Sequence, residues 1–165
     1  MANFMKHQDS RRIFIDTLIK LAEEDERVCL IVPDVGFLYI EEFQKRFPDR
    51  YFNLGVTEAS IVMIATGMAL SGLRPYVYSM INFVAFRPFE MIRNGVALHQ
   101  APVTLLGVKG SSSYKFLGFS HNMVFEDEDN YHLSPYLRCY YPNQGEVDMV
   151  INTAYKKGEG CYIRL

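Results

Sequence analysis

The sequence predicts an α/β domain of three layers, α/β/α, with a mostly parallel sheet at its centre. Two observations carry this. Short, continuous apolar runs such as 28–32 and 103–108 suit strands covered on both faces. Segments with helical spacing alternate with them almost from end to end, the pattern of right-handed crossovers between parallel strands. With 165 residues, 49% of them hydrophobic, the chain fits one sizeable core, so residues 1–165 are expected to form a single domain. In such a sheet ligands gather at the carboxyl ends of the strands.

Ile13, Phe14, Thr17, Leu18 and Leu21 predict a helix over 10–24, with Asp9 or Ser10 as its cap. A strand over 28–32 ends at Pro33, a helix over 40–47 follows, and 51–53 is a further short strand. Thr57 can cap a helix that runs through Ile61, Val62, Ala65 and Met68 and stops near Gly72. A strand over 74–80 leads to a helix over 83–99, in which Pro88 must sit in the first turn or cause a kink. Beyond the strand at 103–108 lies a long segment, 109–134, without sustained periodicity, a length that usually marks function or disorder. Strands at 137–141 and 161–165 flank a last helix over 145–157.

The net charge is −2 and both signs are interspersed, which leaves no electrostatic footprint for nucleic acid or for an anionic membrane. Met1 to Asp9 lack the apolar stretch of a signal peptide, and no window reaches the length of a membrane span. Cys29, Cys139 and Cys161 are odd in number and lack metal-ligand spacing. The expectation is a cytoplasmic protein with no metal site of its own.

Three strand ends hold residues that can carry chemistry: Glu58, the pair Phe83 and Phe86, and His121. Each has a plain structural role available. Glu58 suits the positive end of its helix dipole, Phe83 and Phe86 share one predicted helical face, and a loop histidine is commonly only solvated.

Their order and surroundings carry more. The run Tyr51-Phe52-Asn53-Leu54-Gly55-Val56-Thr57-Glu58-Ala59 resembles the motif that opens the pyrimidine-binding site of transketolases and their relatives. Residues 79–86 are similar to the family segment that packs aromatic side chains on the cofactor, and 89–94 to the helix that follows. The stretch from Gly107 to His121 matches the length and ends of the family loop that finishes Gly-Pro-Thr-His. The resemblance runs from Val28 to Leu165.

That resemblance implies thiamine diphosphate with Mg2+ as cofactors and a two-carbon ketol transfer between small sugar-like molecules. Glu58 would hydrogen-bond the ring nitrogen of the aminopyrimidine and trigger activation, in a largely apolar pocket where a shared proton has few competitors. Phe83 would stack on the pyrimidine, with Met80 and Phe86 lining the same pocket. His121 would act on the substrate, Lys109 would hold an anionic group of it, and Asp34 is a weaker candidate for a contact.

The pattern also breaks. Leu117 stands where the family has an aspartate for a substrate hydroxyl, and no Gly-Asp-Gly triplet for the metal diphosphate occurs anywhere. The resemblance therefore implies a split enzyme or a fragment, with a separate diphosphate-binding subunit and two copies of each chain in a heterotetramer. A component of a thiamine-dependent decarboxylase, of an E1-type dehydrogenase or of a deoxyxylulose-phosphate-type synthase stays open beside it, as does a non-catalytic partner domain.

Overall fold

The computed structural model describes residues 9–108, 114–122 and 128–165. Helix α1 (Ser10–Glu24) precedes strand β1 (Val28–Val32), α2 (Glu41–Arg46) and β2 (Tyr51–Asn53). Then come α3 (Glu58–Leu70), β3 (Arg74–Met80), the short α4 (Phe89–Met91) between two π-helical turns, Asn82–Phe86 and Ile92–Ala97, and β4 (Thr104–Val108). The order closes with α5 (Glu128–Leu133), β5 (Arg138–Tyr140), α6 (Val147–Lys157) and β6 (Cys161–Arg164).

Among the described residues six strands form one sheet in the order β2-β1-β3-β4-β6-β5, and every pair is parallel. β1 and β4 are buried at all five positions, which explains why their sequences are continuous apolar runs rather than alternating ones. On one face, Phe14 and Leu18 of α1 and Ile151 and Ala154 of α6 pack against Tyr76, Tyr78, Leu106 and Ile163. The ring of Phe14 stacks on Tyr78, centroids 5.6 Å apart. On the other face, Ile61, Val62 and Ala65 of α3, with Ile92 and Val96, cover Val77, Leu105 and Tyr162.

Local chemistry sets the ends of these elements. Asp9 caps α1 by accepting from the Arg11 amide at 3.0 Å. Gly72, at φ +98°, closes α3, and the Leu73 amide bonds back to Met68 O at 3.0 Å. Two expectations are corrected. The helix predicted over 83–99 is not continuous. Pro88 brings no amide to the backbone ladder, the Arg87 amide reaches Asn82 O five residues back at 3.3 Å, and α4 starts anew after Pro88. The segment 109–134, read as lacking sustained periodicity, contains α5, whose six residues are too few to display a period.

Gly36 lets the turn after β1 approach the sheet. Its φ is +95°, and a Cβ there would lie 2.9 Å from both Tyr78 Cε1 and Ile40 Cγ2. Gly36→Ala should therefore cost about 2–4 kcal/mol of unfolding free energy. Gly67, inside α3 with open space around it, should do the opposite, Gly67→Ala adding about 0.5–1 kcal/mol. Urea titration of the two variants checks both signs.

Candidate functional site

The chain reverses its direction of travel along the sheet between β1 and β3, since β2 lies to one side of β1 and all later strands to the other. Crossovers leave in opposite directions there, so the carboxyl ends of β1 and β3 open a crevice. A cavity of about 340 Å³ occupies this place, lined by Asp34, Val35 and Gly36 after β1, by Tyr78, Met80 and Phe83 from β3 and the turn beyond it, by Val108 at the end of β4, and by Tyr114, Leu117 and His121. Arg11 and Tyr39 close it on the α1 side.

Asp34 holds the floor rather than offering a free charge. It sits at φ +56°, its amide donates to Asn53 Oδ1 and its carboxylate accepts from Asn53 Nδ2, each at 3.1 Å. The paired side chains knit the ends of β1 and β2 together and support a backbone conformation that costs a non-glycine residue about 1–3 kcal/mol. Arg11, paired with Asp9, lies 4.1 Å from the centroid of Tyr39, whose hydroxyl also donates to Asp9 at 3.0 Å.

Glu58 is the first residue of α3 and is only 8% exposed. Thr57 occupies the cap position as predicted, but its hydroxyl donates to Leu54 O at 2.9 Å and makes no cap bond to the helix. The Glu58 carboxylate instead accepts from Arg87 Nη1 at 2.8 Å. Arg87, 42% exposed along its side chain, lies close enough on Phe83 for its Cζ to be 3.9 Å from the ring centroid. The pocket expected to be apolar around Glu58 thus contains a cation. Sequence reasoning passes over Arg87, although its place four residues after Phe83 on a helical segment is the spacing at which two side chains meet.

Met80, Phe83 and His121 are brought together as expected. The His121 ring meets Phe83 edge to face at 4.9 Å, and Ser120 Oγ lies 2.9 Å from His121 Nδ1. Glu58 joins this group through Arg87. Phe86 does not join it. In an i→i+5 turn three residues no longer return a side chain to the same face, so Phe86 points to α5, where it meets His132 at 5.4 Å and packs on the second core cluster. Lys109 lies outside the described residues. Leu117 lines the cavity, and Phe116 and Phe119 beside it are strongly exposed.

Buried polar atoms mark the same edge. Among the described residues Ser79 Oγ, at the end of β3, and Asn82 Oδ1, next to Phe83, are buried without a hydrogen-bond partner. The cysteines supply no nucleophile, because burial pushes the thiols of Cys29 and Cys161 up to about 12 and that of Cys139 up to about 11. Among the described residues no three His, Cys, Asp or Glu side chains cluster as metal ligands, and no helix is long and apolar enough to cross a membrane. Beyond the crevice, α3 is apolar all round, and Val56, Met63, Ile64 and Leu70 in and before it are exposed.

Residues 6–165 match the family model of the transketolase pyrimidine-binding domain. The chain is 31% identical, over 117 residues, to one of the subunits of the apulose-4-phosphate transketolase of Phocaeicola vulgatus, covering 70% of this chain and 38% of that protein. It is 36% identical, over 135 residues, to 1-deoxy-D-xylulose-5-phosphate synthase of Aquifex aeolicus, covering 77% and 19% respectively. Its fold superimposes on a split-gene transketolase described as an inactive beta4 tetramer with a TM-score of 0.81 at 23% identity, covering 94% of this chain and 50% of the other. The chain thus spans half or less of the length of each of these proteins.

The opposite orientations of Phe83 and Phe86 are open to a direct check. Phe83→Leu should shift the imidazole proton resonances of His121 and leave those of His132 in place, while Phe86→Leu should do the reverse, because each histidine feels the ring current of one of these two phenylalanines. Two-dimensional NMR of the histidine side chains distinguishes this from a shared face, for which both substitutions would move His121.

Proposed function

The chain belongs to the transketolase pyrimidine-binding-domain family, and from that premise we propose that it is the aminopyrimidine-holding subunit of a thiamine-diphosphate-dependent transketolase, active only beside a separate subunit that holds the diphosphate. The observation that carries the reading is the buried Glu58 carboxylate at the start of α3, linked through Arg87 to the ring of Phe83 at the strand edge where α/β folds bind ligands.

The residues present suit one half of the cofactor. A carboxylate that accepts a hydrogen bond in a water-poor crevice can hold a proton on a ring nitrogen, and Phe83 offers a buried aromatic face. The partnerless acceptor on Asn82 suits an amino substituent, and Met80 fills the adjoining wall. The other half does not fit, since the sequence has no Gly-Asp-Gly triplet. Binding of Mg2+ and the diphosphate therefore falls to the partner. Thiamine diphosphate supplies, when bound, the carbon nucleophile on which a two-carbon unit is carried. This chain's own part is to hold the proton at Glu58, to fix the ring on Phe83 and to present His121 to the substrate across the cavity.

The exposed apolar stripe of α3, on the helix that begins with Glu58, supports an obligate interface beside the site, and a heterotetramer with two such sites is the assembly proposed. Thiols outside any disulfide, two of the three buried, suit a reducing cytoplasm. The 340 Å³ cavity suits a sugar-sized substrate. A second reading, one component of a deoxyxylulose-phosphate-type synthase, draws on Leu117 in place of an aspartate and on the resemblance to several such synthases.

Titration calorimetry of thiamine diphosphate and Mg2+ separates these outcomes. Heat should appear only when the chain is mixed with a subunit carrying the Gly-Asp-Gly motif. Tight binding to the chain alone contradicts the half-site. With the mixture in hand, turnover of ketose phosphates supports the transketolase, and decarboxylation of pyruvate in their place supports the synthase.

A further inference from the structure

Arg87 makes two contacts at once. It donates to the Glu58 carboxylate at 2.8 Å, and its planar guanidinium lies over the Phe83 ring at 3.9 Å. These are the two contacts that an aminopyrimidine needs from this chain under the function proposed above: a hydrogen bond to the carboxylate and a stack on the aromatic face. A guanidinium is flat, delocalised and rich in N–H donors, so it satisfies both without strain. Two flat groups cannot share one face of Phe83 at that spacing.

We propose that Arg87 is a built-in stand-in for the aminopyrimidine, which takes the ligand's two contacts for itself and must be displaced when the cofactor binds. The side chain is placed for such a movement. It follows the π-helical turn at Asn82–Phe86, precedes Pro88, and is partly exposed, so it can swing into water while its backbone stays fixed. Arg87 also supplies the donor that a buried carboxylate such as Glu58 requires. The stand-in keeps the crevice folded in the absence of ligand and sets the cofactor affinity through competition, since apparent affinity falls by the fraction of molecules in the open form.

The inference rests on the cofactor reading, and its test separates the two. The chain, assembled with the diphosphate-binding subunit, is titrated with thiamine diphosphate and Mg2+ by calorimetry as wild type, Arg87→Gln and Arg87→Lys. Removing the competitor should lower the apparent Kd about tenfold in Arg87→Gln, as for an open form populated at about one part in ten. Arg87→Lys should fall between, because a compact ammonium keeps the charge but cannot lie flat on Phe83. Circular dichroism reports whether each variant is folded, and Arg87→Lys alone decides if Arg87→Gln is not. An apparent Kd in both folded variants equal to or weaker than wild type overturns the stand-in and makes Arg87 a positioning partner of Glu58. Absence of binding in wild type and variants alike removes the cofactor reading and the inference with it.

Discussion

A carboxylate at the first residue of α3, nearly removed from water, has to be answered by a donor. Desolvating it without one costs about 1–3 kcal/mol or more, so the molecule around Glu58 is organised to supply that donor. The donor is Arg87, which comes into reach where Pro88 breaks the segment after β3 and the turn before it is π-helical. That turn places Phe83 under the guanidinium and sends Phe86 to the other core, against His132. The ionic contact and the path of the chain from Met80 to Phe89 are thus parts of one local arrangement.

The sheet makes the contact possible. The central strands β1 and β4 are covered on both faces, which sends polar groups to the ends of the sheet, and the reversal between β1 and β3 opens its carboxyl edge. Asp34, Glu58, Phe83 and His121 come from four separate connections and converge there. The glycine at 36 brings the first of these close to Tyr78, and the Asp34–Asn53 pair ties the second strand to it. Stability and site are therefore built from the same turns, and changes at Gly36 bear on both.

Much of this is legible in the sequence. Continuous apolar runs give away β1 and β4 because a strand buried on both faces has no alternation to show. Glu58, Met80, Phe83 and His121 are legible through the ordered run of family-like segments rather than through any single residue. Phe86 is misplaced when a spacing of three is read as α-helical, and no composition signals an i→i+5 turn. Arg87 escapes for a different reason: its contact with Glu58 joins residues 29 apart in sequence, and only the spacing of four from Phe83 hints at it. α5 escapes because six residues with one buried apolar side chain, Leu133, carry no period.

Under the function proposed, Glu58 holds the cofactor's ring proton, and the exchange of the thiazolium C2 proton for deuterium reports on that role. The exchange is followed by NMR after acid quench, on thiamine diphosphate bound to the chain and its partner subunit. Wild type should exchange about 10²- to 10⁴-fold faster than Glu58→Gln, with both forms loaded to the same occupancy. Equal rates in the two would contradict the role of Glu58 and leave its burial against Arg87 a matter of folding alone.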